Sequence, residues 1–211
     1  MSNVEKFTMA QIGHICAHLA REHEHYSNQN IEELLSWTNY NLAPERNLSQ
    51  VEYVKSKLDE ISHAKRKDLC VMGSWVITAP KTLSEAHHER FFDLTYKFMI
   101  ERYGARSGLG EDVCVSSYVH MDETTPHMHF AFLPVVQAKD GSQRFCAKEF
   151  INRHELQTFH KDYKEYLQRH GMYADVNEGQ TLVNANGKAL TVAELKKTHD
   201  ITHENERRLV F

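Results

Sequence analysis

The sequence contains no stretch of about 18 consecutive apolar residues, the length that a membrane-spanning helix requires. Its four cysteines, Cys16, Cys70, Cys114 and Cys146, form no CxxC pair, and no signal-peptide pattern precedes them. We therefore expect reduced thiols and a cytoplasmic location. A formal net charge of −4 argues against broad, nonspecific nucleic-acid binding. That charge still permits a local basic groove.

Internal repeats, low-complexity linkers and clear domain boundaries are also missing. With 211 residues, 41% of them hydrophobic, the chain can bury one substantial core. We therefore predict a single domain over residues 1–211, in which residues 172–211 form a carboxy-terminal extension.

Histidine, in contrast, is abundant: the chain has 15, and three of them lie between His120 and His129. The segment 114–120 has strand-like composition, and residues 127–136 form a largely apolar run. Polar residues and Pro126 between them favour a turn, which predicts a β-hairpin. Because side chains alternate along a strand, His127 and His129 share one face, and His120 falls opposite His127. Three imidazoles then converge.

Such a convergence predicts a metal site, because a cation relieves the cost of desolvating several imidazoles together. Three protein ligands leave coordination positions open, as in catalytic sites. An all-imidazole set suits Zn, Mn, Fe, Ni or Cu, so ligand type does not select the metal. Asp122 is interpreted as a turn or ligand-supporting residue, and Glu123 as either a proton carrier or a turn residue. The simpler alternative is a polar, half-exposed sheet face.

The remaining pattern predicts an α+β fold with a central antiparallel sheet, in which one face holds the metal and the other packs on helices. Cys70–Thr78 is a predicted central strand, and a short strand is expected near Phe145. Helices are predicted over residues 9–26, 48–67, 82–103 and 152–170, followed by a hairpin around residues 186–187 and a helix over 191–197.

The segment His120–His129 resembles the HxDExxPHxH signature of the HUH endonucleases, particularly the MobV (Mob/Pre) plasmid mobilisation relaxases. His18-Leu19-Ala20-Arg21 is similar to the HxxR element of that family, and the segment 38–42 to its next motif. The likeness covers residues 1 to about 170. It implies the HUH relaxase fold, an antiparallel sheet of about five strands flanked by helices. It also implies a bacterial, plasmid- or mobile-element-encoded enzyme that nicks one strand of a transfer origin for conjugative mobilisation.

The resemblance further implies roles for individual residues. His18 matches the nucleophile, which becomes joined to a 5′-phosphate and leaves a free 3′-hydroxyl. Glu123 is the expected general base, and Arg21, predicted on the same helical face as His18, contacts the phosphate or orients the nucleophile. The expected cofactor is a divalent ion, Mn²⁺ first and Mg²⁺ or another transition metal next, on His120, His127 and His129. The expected DNA contacts are Asn39, Tyr40, Lys65, Arg66 and Lys67.

Several alternatives remain open at this point. Tyr26 or Tyr40 could replace His18 as nucleophile, and the basic cluster at 65–67 could be a charge pattern at a helix C-terminus. The chain could instead be a rolling-circle replication initiator, a three-histidine metallohydrolase acting on a small molecule, or a DNA-binding autoregulator. Expected partners are single-stranded or supercoiled origin DNA and the conjugation coupling machinery. Dimerisation is expected through a region beyond this chain, which we interpret as the relaxase domain alone.

Overall fold

The structure is a computed structural model that describes residues 2–22 and 31–176. Its central element is a five-stranded sheet in which every neighbouring pair of strands is antiparallel. In spatial order the strands are β1 (Ser2–Thr8), β3 (Cys70–Thr78), β5 (His127–Phe132), β4 (Cys114–His120) and β2 (Tyr40–Asn41). The predicted α+β class and the five-stranded antiparallel sheet are confirmed.

Five α-helices surround this sheet in the described part of the chain. They are α1 (Ile12–Leu19), α2 (Gln50–Glu60), α3 (His88–Ser107), α4 (Ala147–Phe150) and α5 (Arg153–Arg169). Short 3₁₀ helices cover Glu33–Thr38, Glu85–His87 and Gly110–Val113. Among the helices described, none combines the length and the apolar composition that crossing a membrane requires.

The predicted hairpin is formed by β4 and β5, both of which lie inside the sheet. His120 pairs with His127, as the alternation of side chains indicated. The second strand is shorter than predicted, because it ends at Phe132 instead of residue 136. The chain then enters a separate two-stranded sheet of β6 (Val135–Gln137) and β7 (Gln143–Phe145). Pro134, which has no N–H to donate to a strand ladder, lies at this break.

Helices cover both faces of the sheet. On one face, α3 and α5 bury a large aromatic core around Trp75, Phe130 and Phe132. On the other face, α1 and α2 pack against Met72, Ala131 and other apolar residues. Ala131 lies two residues after His129 and four after His127 in β5, so the three side chains share one face, the one that α1 and α2 cover. The predicted packing of helices on the face opposite the histidines is present, and α1 and α2 also cover part of the histidine face, which the sequence did not indicate.

Several element boundaries also differ from those predicted. The first helix covers residues 12–19 instead of 9–26, and α2 ends at Glu60 instead of residue 67. α3 continues through Gly104 to Ser107, and Gly108, the residue that follows it, has a φ of 69°, which favours glycine. Gly104 is required for a different reason, because a Cβ there would lie 2.6 Å from the carbonyl oxygen of Gly110. The edge strand β1 was not predicted.

Other predictions were accurate or fall outside the described residues. Asn152 caps α5 by accepting a hydrogen bond from the Glu155 amide, and Gly171 follows that helix with a φ of 70°. Tyr26, the hairpin around 186–187, the helix over 191–197 and most of the extension 172–211 lie outside the residues that the structure describes. The single-domain prediction for residues 1–211 remains a prediction.

Candidate metal centre

Three histidines meet at one end of the two central strands. The ring centroids of His120, His127 and His129 lie 4.8 to 5.2 Å apart. One nitrogen from each ring falls within 4.8 Å of the others, so one ion can contact all three rings. The closest pair, His127 Nε2 and His129 Nε2, is separated by 3.1 Å. The structure thus brings together the three predicted ligands.

Backbone carbonyl oxygens determine which nitrogen of two of these rings is available. His120 Nε2 lies 2.9 Å from the carbonyl oxygen of Leu19, which can only accept, so Nε2 carries the proton. In the same way His127 Nδ1 donates to the carbonyl oxygen of Thr125 at 3.0 Å. The lone pairs therefore reside on His120 Nδ1 and His127 Nε2. This is the usual arrangement of metal-binding histidines, whose second nitrogen donates to a carbonyl or carboxylate oxygen.

Burial keeps the imidazoles of His120 and His129 neutral. It lowers the pKa of His120 to about 4, and the positive charge of Arg21 acts in the same direction. Burial also holds the pKa of His129 well below its usual value, reinforced by His127 and His120. His120 Nδ1 is buried and has no hydrogen-bond partner among the described residues, which is unfavourable for a polar atom. A divalent cation supplies the missing partner, so the residues fit a metal ion.

His18 lies beside this triad. Its ring centroid is 6.4 Å from that of His120 and 6.3 Å from that of His129. α1 presents it there because Ile12, Cys16 and Leu19, at helical spacing, bury the opposite side of the helix in the core. His18 also precedes Leu19, whose carbonyl oxygen contacts His120. The imidazole thus lies next to the ligands, although the three predicted ligands do not include it.

Asp122 forms the centre of a buried hydrogen-bond network next to the triad. Its carboxylate is fully buried and accepts two hydrogen bonds from Arg21, at 2.8 and 3.0 Å. Ser36 Oγ and Asn39 Nδ2 donate to the same carboxylate at 2.8 and 2.7 Å. Although burial alone raises the pKa of Asp122, these donors lower it to about 2. The carboxylate is therefore ionised and joins two other chain segments to the hairpin, the end of α1 and the segment 31–39.

Arg21 is positioned differently from the prediction. α1 ends at Leu19, and Arg21 has a left-handed φ of 56°, so it does not share a helical face with His18. Its guanidinium contacts both Asp122 and Glu123, with Arg21 Nη2 2.7 Å from Glu123 Oε1. A left-handed backbone is costly for a residue with a Cβ. The two carboxylates offset that cost.

Glu123 lies between this network and the triad. Its Oε1 is 4.0 Å from His127 Nε2, and the side chain remains partly accessible, at 18%. Its backbone forms an isolated antiparallel bridge with Ile31. Glu123 is therefore held beside the histidines by an ion pair on one side and a neighbouring segment on the other. Its predicted role in proton transfer remains a prediction.

We expect Asp122→Asn to lower the free energy of unfolding by about 2 to 4 kcal/mol, because it leaves the buried Arg21 without its main counter-charge. Since the folded pKa of Asp122, about 2, lies below the usual 3.8, the ionised form contributes stability that is fully present above about pH 4 and is lost as the pH falls towards 2. Urea unfolding at several pH values measures this difference. Asp59→Asn, at an exposed position in α2, is the control. An equal effect of the two substitutions contradicts the assignment.

Tyr40 does not join the site. In β2 it pairs with Val119, whose side chain points away from the face that carries His120. Burial raises the pKa of Tyr40 to about 12, and the nearby carboxylates of Glu89 and Asp93 in α3 add to this effect. The phenol therefore lies towards α3, remote from the triad. This position disfavours Tyr40 as the nucleophile, and its contact with DNA remains a prediction.

The predicted basic cluster lies far from the histidines. It consists of Lys65, Arg66 and Lys67, all exposed in the loop between α2 and β3. Because α2 ends at Glu60, the explanation by the dipole of a helix C-terminus is wrong. β3 begins after this loop at Cys70, and its other end, Thr78, pairs with His127. Nine extended residues separate the two ends by roughly 25 Å. If the basic cluster contacts DNA, it contacts a part of the DNA that is distant from the triad.

Three groups contribute to the site in ways that the sequence did not indicate. Asn39, predicted to contact DNA, donates to Asp122, and its Oδ1 accepts a hydrogen bond from the Met121 amide. Its contact with DNA remains a prediction. Ser36 supplies a further donor, and a serine in this segment has no distinctive sequence signal. The carbonyl oxygen of Leu19 is a backbone atom, so residue type does not reveal it. These groups become visible only when the fold brings remote segments together.

The chain is similar to proteins of one family. A family model described as plasmid recombination enzyme (Mob_Pre) matches residues 1–200. A plasmid recombination enzyme of Streptococcus agalactiae is 29% identical over 93% of this chain and 38% of its own length. Another, of Lactiplantibacillus plantarum, is 30% identical over 85% of this chain and 48% of its own length. The chain thus spans less than half the length of these curated relatives.

Solved structures show the same fold. A MobM relaxase domain (MOBV; Mob_Pre), crystallised with Mn and plasmid pMV158 oriT DNA, superposes with a TM-score of 0.74 and 28% identity, covering 94% of this chain and 97% of that one. The conjugative relaxase TrwC in complex with oriT DNA superposes with a TM-score of 0.51 over 99% of this chain and 84% of that one. At 14% identity, TrwC supports the fold alone.

Proposed function

The chain belongs to the Mob_Pre family of plasmid recombination enzymes, and from this premise we propose that it is a relaxase domain that nicks one strand of a plasmid transfer origin. Cleavage is site- and strand-specific and metal-dependent. It leaves the 5′-phosphate joined to the protein and a free 3′-hydroxyl, ready for rejoining after mobilisation. The observation that carries this proposal is the position of His18, whose ring lies 6.3 to 6.4 Å from two rings of the triad.

We propose His18 as the nucleophile. A neutral imidazole nitrogen attacks the scissile phosphorus, a P–N bond forms, and the bond from phosphorus to the 3′-oxygen breaks. Glu123 accepts the proton released from the other ring nitrogen, and the departing 3′-oxygen takes up a proton from solvent. Religation reverses these steps. The P–N bond remains energy-rich, which suits an enzyme that must rejoin the strand.

Arg21 and Asp122 act in this proposal as positioning residues. Arg21 pairs with both carboxylates and so holds Glu123 beside the triad, while Asp122 anchors Arg21 through two hydrogen bonds. Arg21 Nε and Nη2 donate to these two carboxylates, so the phosphate contact predicted for Arg21 would have to come from Nη1. Its side chain is only 7% exposed, which favours the positioning role.

His120, His127 and His129 would hold the cation. When bound, it supplies Lewis-acid stabilisation of the charge on the non-bridging phosphate oxygens. We propose Mn²⁺ as the physiological ion, because the similar MobM relaxase domain was crystallised with Mn and because three imidazoles suit a transition metal better than Mg²⁺. The proposed partner is origin-of-transfer DNA, single-stranded or supercoiled. The conjugation coupling machinery is proposed as a second partner, which binds after the DNA has been nicked.

The structure disfavours the rolling-circle initiator alternative. Such initiators carry their nucleophilic tyrosine after the histidine pair. Tyr163 and Tyr166 of α5 are buried in the core on the face opposite the triad. Tyr173 follows α5 between Met172 and Ala174, which pack against that same core. These three are the tyrosines that follow the hairpin within residues 31–176, and they lie away from the metal centre.

We expect the protein to convert supercoiled plasmid carrying its cognate origin into nicked circles only when Mn²⁺ or Mg²⁺ is present. Chelation by EDTA should abolish the nick, because the buried lone pairs of the triad then hold no cation. Agarose gel electrophoresis of the plasmid measures the conversion, and the same plasmid without the origin is the control. If no divalent metal supports cleavage of the correct origin, the proposed nicking activity is ruled out. Cleavage of a small phosphoester in that case favours a metallohydrolase.

A further inference from the structure

An apolar strip projects into solvent from the 3₁₀ helix Glu33–Thr38. Leu34 is 91% exposed and Trp37 is 81% exposed, so both side chains are almost entirely accessible. A 3₁₀ helix has three residues per turn, so residues i and i+3 lie one above the other. Leu34 and Trp37 therefore form one continuous outward side of the helix. Exposure of so much of an indole side chain is unfavourable unless another group binds to it.

The same helix is attached directly to the turn between β4 and β5, at Asp122 and Glu123. On its inward side Ser36 Oγ donates to Asp122 at 2.8 Å, and just before it the Glu32 amide donates to the carbonyl oxygen of Asp122 at 2.8 Å. Ile31 pairs with Glu123 at one end, and Asn39 contacts Asp122 at the other. The segment 31–39 is thus anchored to the residues next to the triad at four points. The exposed strip has a defined position relative to the metal centre.

The size of this strip and the charge beside it indicate which kind of group binds to it. It is too small for a protein partner, since a stable interface needs about 800 Å² from each side. Glu32 and Glu33 lie beside it and are exposed, so they repel phosphate groups and anionic lipids alike. An unpaired nucleobase has an uncharged π-face that stacks on aromatic side chains whatever its sequence. A nucleobase therefore fits where a phosphate does not.

We propose that Trp37, supported by Leu34, is a stacking platform for an unpaired base of the single-stranded DNA next to the scissile phosphate. The inference rests on the proposed function, because it assumes that this strand reaches the triad. It adds a contact that positions the strand at the level of a base, outside the triad and the Asp122 network. Trp37 in this role is a substrate-binding residue that takes no part in the chemical step.

Tryptophan emission offers a direct test. The chain contains two tryptophans, and the other, Trp75, is 2% exposed and stacked on Phe159. Titration of the protein with oligo(dT) should therefore quench the emission of Trp37 alone. The Trp37→Phe variant, which retains only Trp75, should show no change on titration. Equal quenching in this variant overturns the proposal, as does binding of oligo(dT) without any quenching in the wild type.

Affinity provides the second measurement. Trp37→Ala should bind fluorescein-labelled oligo(dT) about 5-fold to 100-fold more weakly than wild type, whereas Trp37→Phe should retain most of the affinity. Leu48→Ala, at a position that is 47% exposed and lies outside the segment 31–39, is the matched control. On origin DNA, Trp37→Ala should raise KM more than it lowers kcat. Unchanged affinity of Trp37→Ala overturns the proposal.

Other outcomes separate this inference from the proposed function and from other occupants. If the wild type nicks the origin and Trp37→Ala binds and cleaves it equally well, the stacking platform is refuted and the proposed function stands. Protein that binds oligo(dT) with quenching but cleaves no origin refutes the nuclease while supporting the base contact. A blue shift with phosphatidylglycerol vesicles but no response to oligo(dT) overturns the proposal in favour of a membrane surface. Emission that depends on protein concentration without DNA assigns the strip to a second copy of the chain.

Discussion

The His18→Ala variant is expected to form no covalent adduct with origin DNA. Removal of the attacking group from a covalent enzyme typically lowers the rate by about 10⁴-fold or more, which places the adduct below detection on a denaturing gel. The substitution should leave folding and Mn²⁺ binding intact, because His18 is a partly exposed residue at the end of α1 and is not one of the three predicted ligands. Circular dichroism and metal titration check both conditions.

Three further variants make this experiment decisive. His14→Ala, one turn earlier on the exposed side of α1, is the matched control and should retain the adduct. Tyr26→Phe and Tyr40→Phe should retain it as well. If His18→Ala still forms the adduct and a tyrosine variant does not, the nucleophile assignment is wrong. Acid gives an independent criterion, since a phosphoramidate hydrolyses under conditions in which a phosphotyrosine survives.

The second large effect is expected from His129→Ala. This substitution removes one of three imidazoles whose available nitrogens lie within 4.8 Å of one another. Because even residues that only support metal ligands contribute 10- to 100-fold to affinity, loss of a ligand should weaken Mn²⁺ binding by about 100-fold or more. Calorimetric titration of the purified protein measures this change without DNA, and origin cleavage should fall in parallel.

His154→Ala provides the control for this variant. His154 is an exposed residue of α5, which packs on the face opposite the triad. It should therefore bind Mn²⁺ and cleave DNA like the wild type. Tight Mn²⁺ binding by His129→Ala transfers the site to the second candidate set, His120, Asp122 and Glu123. That set requires Asp122 to give up the hydrogen bonds that it now accepts.

The hairpin that carries His120, His127 and His129 was predictable from the sequence because the information that specifies it is local. Alternation along β4 and β5 determines which side chains share a face, and a polar turn with Pro126 joins the two strands. Cys70–Thr78 was predictable for a similar reason, since its β-branched and apolar residues are typical of a buried strand. The capping residue Asn152 likewise marks the start of α5 within a few positions.

The missed features depend on partners that are remote in the chain. β1 has weak strand character of its own and is ordered by pairing with β3, about 70 residues later. α1 ends early because Arg21 leaves the helix to reach Asp122 and Glu123, about 100 residues away. The predicted sharing of a helical face by His18 and Arg21 failed for this reason. Periodicity alone cannot detect ion pairs of this range.

The hydrogen bond from His120 Nε2 to the carbonyl oxygen of Leu19 couples the affinity for a metal ion to the packing of α1 against the sheet. Leu19 directly follows His18, and its carbonyl oxygen selects the His120 tautomer that leaves Nδ1 open. Thermodynamic linkage is reciprocal, so a cation that favours this tautomer also favours the docked position of α1, by the same factor. We therefore expect a metal-loaded protein to meet DNA with His18, the proposed nucleophile, already in position. DNA that favours the docked position of α1 should, in return, raise the affinity for the ion.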